Sequence, residues 1–75
     1  MNLTIGEKIR LLREEADLTQ GQLGTKTVMT QRKISYIECG KCEPNIDDIK
    51  AFCSFFNVSA DYLIGLPEKL PFPKR

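Results

Sequence analysis

The chain has 75 residues, a formal net charge of +1, three cysteines and no histidine. A chain this short makes one domain, near the lower limit for a single hydrophobic core, where small folds often gain stability by oligomerising. No stretch is long or apolar enough to span a bilayer, the N-terminus lacks a charged-then-apolar signal pattern, and an odd cysteine count does not read as a secreted disulfide framework, so a cytoplasmic protein is expected.

The apolar residues recur at helical spacing. Ile5, Ile9, Leu12 and Ala16 line one stripe of a first helix. Thr4 and Glu7 are spaced as a capping box at its start, the hydroxyl accepting a free N–H and the carboxylate reaching back. A second helix starts at Thr19, with Gln22 at the reciprocal position and Leu23 facing inward. A third starts at Thr30, with Ile34 and Ile37 inward and Gly40 suited to the left-handed conformation that ends a helix. Asn45, just after Pro44, caps a fourth helix. Asp47 and Asp48 sit in its first turn, where the helix dipole favours negative charge. Its stripe is Ile49, Phe52, Cys53 and Phe56, and Asn57 ends it. Ser59 caps a short fifth helix, Val58 and Leu63 are spaced as a hydrophobic staple, and Gly65 stops it. From Leu66 the chain carries Pro67, Pro71 and Pro73 and cannot form a regular helix. No strand pattern or internal repeat appears. The pattern predicts an all-α bundle of five short helices, a domain over 1–65 and a proline-rich tail over 66–75.

Net charge alone does not point to nucleic acid, but its distribution is uneven. Residues 18–42 hold Lys26, Arg32, Lys33 and Lys41 against Glu38, whereas residues 43–64 hold Glu43, Asp47, Asp48 and Asp61 against Lys50. Such a field can orient a protein toward a phosphate backbone, although ordinary surface charge gives the same pattern. Without histidine the commonest acid–base residue and metal ligand is missing. There is no glycine-rich phosphate loop and no nucleophile–base set, so neither an enzyme nor a cofactor is expected. Cys39 and Cys42 have CxxC spacing, but with Cys53 on the apolar face they make an incomplete zinc set. No metal site is expected. The thiols read as two loop residues and a small core hydrophobe.

The stretch from Leu18 to Pro44, LTQGQLGTKTVMTQRKISYIECGKCEP, resembles the helix-turn-helix of the phage-repressor family (the XRE, or Cro/repressor, type). The matching residues are Leu18, Thr19, Gln20 and Leu23, then Thr30, Ile34, Ser35, Ile37, Glu38, Gly40 and Lys41, with Pro44 after the loop. The match needs no insertion or deletion from Leu18 to Glu38 and extends over about residues 3–65. The resemblance implies a compact lambda-repressor-like DNA-binding domain. It also implies a sequence-specific transcriptional regulator, a repressor acting as a homodimer on a pseudo-palindromic operator in double-stranded DNA. A second reading keeps the fold as a protein-interaction module, such as an antitoxin-type partner. The resemblance further places Arg13 and Glu38 as a structural ion pair between the first and third helices.

Two departures from the family bear on the turn. Its usual glycine is replaced by Val28, preceded by Thr27 where an apolar residue is common. A β-branched residue resists positive φ, so a reshaped turn is expected. Gly24 replaces a usual alanine, which permits close helix approach at a cost of about 1 kcal/mol of helix propensity.

The third helix presents Gln31, Arg32 and Tyr36 opposite Ile34 and Ile37. Arginine can bond guanine and glutamine adenine through paired hydrogen bonds in the major groove, so these three are the expected base readers. Gln20, Thr30, Lys33 and Lys41, at helix starts or in the following loop, are the expected phosphate contacts. The expected dimer surface lies near the fifth helix and the tail, with Tyr62, Leu63 and Leu66.

Overall fold

A computed structural model describes residues 3–65. These form α1 (Ile5–Glu15), α2 (Gln20–Thr27), α3 (Gln31–Glu38), α4 (Ile46–Phe56) and α5 (Ala60–Ile64), with no strand among the described residues. The tail expected over 66–75, and with it Leu66, lies outside the described residues.

Each helix starts where a side chain replaces the missing acceptor for its first N–H groups. Thr4 Oγ1 accepts the Glu7 N–H at 3.1 Å while Glu7 Oε1 accepts the Thr4 N–H at 2.8 Å. Thr19 and Gln22 repeat this box on α2. Asn45 and Asp48 repeat it on α4, so Asp48 closes a cap as well as facing the helix dipole. Thr30 and Ser59 cap α3 and α5 with the hydroxyl alone.

The helix ends are equally local. Ala16, expected on the apolar stripe of α1, is instead its exposed C-terminal cap. The helix stops at Glu15 and the chain reverses through Asp17 at φ 58°. At the end of α3, Gly40 adopts φ 80°. Its N–H reaches the Ile37 carbonyl at 3.2 Å, and the Lys41 N–H reaches that of Tyr36 at 2.9 Å. These two bonds make a complete Schellman motif and bring Lys41 back beside Tyr36.

Every helix contributes to one core. Ile9, Leu23, Ile34, Ile37, Phe52 and Leu63 are buried, and half-buried Ile5, Leu12, Leu18, Met29, Cys42, Cys53, Phe56 and Val58 pack around them. α1 packs on α3 and α5, α2 on α3 and α4, and α4 on α5. Because Ile34 and Ile37 face this core, the opposite side of α3 faces outward. Leu63, expected at a dimer surface, is fully buried. Its position in the staple with Val58 turns it into the core, and the large exposed apolar side chains of α5 are Tyr62 and Ile64.

In the connection between α2 and α3 the β-branched residue does not avoid positive φ. Val28 itself takes the left-handed conformation, at φ 59° and ψ 45°. Backbone bonds over-determine it: the Val28 and Met29 N–H groups both donate to the Gly24 carbonyl, the latter at 2.7 Å. Gly24 makes this closure possible, since a Cβ there would lie 2.5 Å from the Met29 carbonyl oxygen. Thr27 occupies the usual apolar position with its hydroxyl donated to the Leu23 carbonyl at 2.8 Å, so a buried polar group is satisfied at once.

Val28 is 94% exposed, so its side chain returns no packing energy for the strained backbone. A left-handed conformation costs an L-residue about 1–2 kcal/mol, of which glycine recovers most, less its own greater unfolded-state entropy. Val28→Gly is therefore expected to stabilise the fold by about 1 kcal/mol, raising the melting temperature by roughly 4–8 °C. A thermal melt with no increase would contradict a left-handed Val28.

Candidate nucleic-acid interface

The outward side of α3 is held in place from behind. Arg13 on α1 reaches Glu38 at the end of α3 with Nε to Oε2 at 2.7 Å and Nη2 to Oε1 at 3.1 Å. Its remaining nitrogen, Nη1, donates to the Leu18 carbonyl at 2.8 Å, just before α2 begins. Gln20, the first residue of α2, adds its Nε2 to Glu38 Oε1 at 3.1 Å. Three helices thus meet on one carboxylate. The Glu38 side chain is only 3% exposed and that of Arg13 12%. The hydrogen bonds to Glu38 push the Arg13 pKa above its ordinary value, further than burial pulls it down. Arginine suits the place because its planar fork matches a carboxylate with two parallel bonds while a third donor stays free.

A second tie holds the other end of α3. Lys33 Nζ donates to Asp48 Oδ1 at 2.9 Å, linking the first turn of α3 to the first turn of α4. This contact has no local sequence signal, because the partners lie fifteen residues apart in different helices. Lys33, expected to meet a phosphate, is thereby engaged inside the protein.

Between these ties Gln31, Arg32 and Tyr36 are exposed and share one open groove with Gln20 and Ser35. Ser35 is not among the expected base readers, although it stands four residues after Gln31 on the same side of the helix. Gln31 leans back toward α2, its Oε1 3.5 Å from where a Cβ at Gly21 would stand. Lys41 places its ammonium 5.9 Å from the Tyr36 ring centroid, a consequence of the Schellman turn. Thr30 is exposed at the start of α3, its Oγ1 accepting the Lys33 N–H at 3.0 Å. The structure therefore gathers Gln20, Gln31, Arg32 and Tyr36 on one groove, flanks it with Thr30 and Lys41, and turns Lys33 aside. All three thiols are free, and burial raises the Cys53 pKa. Among the described residues no group of three potential ligands could hold a metal ion.

A capped α2, a tight turn and an exposed α3 braced from behind define a helix-turn-helix domain. The helix-turn-helix domain family model matches residues 4–63, and the chain belongs to that family, in its phage-repressor-like branch. It is 36% identical over 63 residues to the HTH-type transcriptional activator BcrR of Enterococcus faecalis, covering 84% of this chain and 31% of the relative. It is 25% identical over 63 residues to the immunity repressor protein of Bacillus phage phi105, covering 84% of this chain and 44% of that one. The chain thus spans less than half the length of both relatives. Among solved structures, the P22 c2 repressor in complex with a synthetic operator superposes with a TM-score of 0.79 at 30% identity, covering 84% of this chain and 96% of that one.

The brace itself can be tested through stability. Glu38→Ala leaves a poorly solvated guanidinium without its counter-charge, which costs about 3–5 kcal/mol when such a pair is buried. That is a large part of the total stability of a domain this size. Replacing both partners with apolar residues, as in Arg13→Met with Glu38→Leu, should recover much of the loss. A urea melt of Glu38→Ala superimposable on that of the unchanged chain would contradict a buried pair.

Proposed function

We propose that the chain binds double-stranded DNA in a sequence-specific way and regulates transcription, as a repressor acting through a homodimer on a pseudo-palindromic operator. One observation carries the reading: an exposed polar face of Gln31, Arg32 and Tyr36 on a helix whose opposite face is wholly committed to the core. A helix presented in this way fits the major groove with its first turn deepest. Arg32 is the reader suited to guanine and Gln31 to adenine, with Tyr36 one turn on. Gln20, Thr30 and Lys41 supply phosphate contacts around them, whereas the Lys33 ammonium is held by Asp48 and is not one of these contacts. The relatives support regulation of transcription, and the P22 c2 repressor on its operator supports DNA as the partner.

Two copies are proposed because one small recognition unit buries little surface on DNA, whereas two on related half-sites raise affinity and specificity together. The half-sites then lie about one helical turn apart, roughly 34 Å. The copies meet through α5, where Tyr62 is 48% and Ile64 52% exposed. Lys8 stiffens this edge by donating to the Tyr62 carbonyl at 2.7 Å with its ammonium 5.1 Å from the ring centroid.

Selection of bound duplexes from a random pool, repeated with two variants, tests the assignment. Arg32→Ala should cost about 1–3 kcal/mol and relax preference at one or two guanine-containing base pairs. Lys41→Ala should weaken all sequences alike and reduce the salt slope by about one per chain. A preferred sequence changed by Lys41→Ala and kept by Arg32→Ala would remove α3 from the role of reader.

A further inference from the structure

The basic character of residues 18–42 is not all available to a ligand. Lys26, Arg32 and Lys41 have no ion-pair partner among the described residues, but Lys33 does. Its partner is unusually well fixed. Asp48 has a side chain only 8% exposed, and its second oxygen, Oδ2, already accepts the Asn45 N–H at 3.1 Å. The carboxylate is therefore positioned by the cap of α4, independently of Lys33. The cap needs an oxygen at this place and not a charge, since an amide oxygen could accept the same N–H. The charge is used by Lys33, whose side chain remains 35% exposed and so could reach solvent if released.

Resting on the DNA-binding reading above, we infer that Asp48 is a positioning residue that acts through Lys33, withholding its ammonium from the DNA backbone. Lys33 lies in the first turn of α3, beside Arg32 and three residues after the Thr30 cap. A helix docked by its first turn brings phosphates past this region. A lysine free there would neutralise a phosphate and tighten binding to every sequence alike. Held by Asp48, it leaves the sequence-blind part of the affinity one contact smaller, and binding leans more on the side chains that face bases. The same pair fixes the start of α3 against α4, so one contact both aims the helix and removes its nearest competing charge.

The test measures affinity of the full chain for a random-sequence duplex by fluorescence anisotropy across a salt series. Asp48→Asn keeps an oxygen for the cap and frees Lys33. Asp47→Asn, on the exposed neighbour in the same turn, makes the same change in total charge without touching Lys33. Relative to Asp47→Asn, Asp48→Asn should steepen the salt slope by about 0.9 per chain, or about eight-fold tighter binding at 0.1 M salt. Lys33→Gln alone should leave the wild-type slope unchanged, and Lys33→Gln combined with Asp48→Asn should return to it. An Asp48→Asn slope equal to that of Asp47→Asn, or a slope lowered by about 0.9 in Lys33→Gln, overturns the inference while leaving the DNA-binding reading intact. Failure of the unchanged chain to bind any duplex overturns both. Thermal melts accompany each variant. Should Asp48→Asn not fold, Lys33→Gln decides alone: an unchanged slope supports the inference and a lowered one overturns it.

Discussion

The carboxylate of Glu38 is the point on which the arrangement depends. α3 is eight residues long, too short to hold its own shape or direction without its neighbours. Core packing through Ile34 and Ile37 fixes which side faces inward but leaves freedom to slide and tilt. The hydrogen bonds from Arg13 and Gln20 to Glu38 remove that freedom, because they require α1, α2 and the end of α3 to meet in one geometry. Such a pair adds little net stability beside a well-packed apolar alternative, and its value lies in directional constraint. Lys33 and Asp48 do the same at the other end of the helix, so the outward face is set from both ends.

The turn before α3 shows how backbone closure can override local preference. Valine is a poor residue for positive φ, yet Val28 adopts it because the carbonyl of Gly24 takes both of the next available N–H groups. The two departures from the family pattern therefore act together. Gly24 removes the Cβ that would collide with the Met29 carbonyl, and the turn keeps its form with a strained residue at its tip. The cost falls on stability, since the left-handed valine is strained.

The helices were legible because their signals are local. Thr4 with Glu7 and Thr19 with Gln22 close boxes within four residues, and the periodic apolar residues face the core they imply. Ala16 shows the limit of periodicity, and Leu63 the limit of assigning a surface from position in the chain. One falls just past a helix end and the other on a staple, so neighbours along the chain decided where each side chain went. The site was legible as a surface, since Gln31, Arg32 and Tyr36 stand opposite Ile34 and Ile37 at helical spacing. What could not be read was which polar groups spend their hydrogen bonds inside the protein. Gln20 and Lys33 look like solvent-facing ligand contacts, yet each reaches an acidic side chain on another helix. Those partnerships exist only once the helices have packed.

In the proposed function the outward face of α3 meets DNA while the rest of the bundle holds it there. The most direct measurement is an NMR titration of the isotopically labelled chain with a duplex selected for tight binding. Amide shifts should concentrate at Gln20, at Thr30 through Tyr36 and at Lys41, with smaller changes on α5, the proposed contact between two copies. Shifts confined to the surface formed by Val28, Ala51 and Phe55, with α3 unmoved, would contradict it.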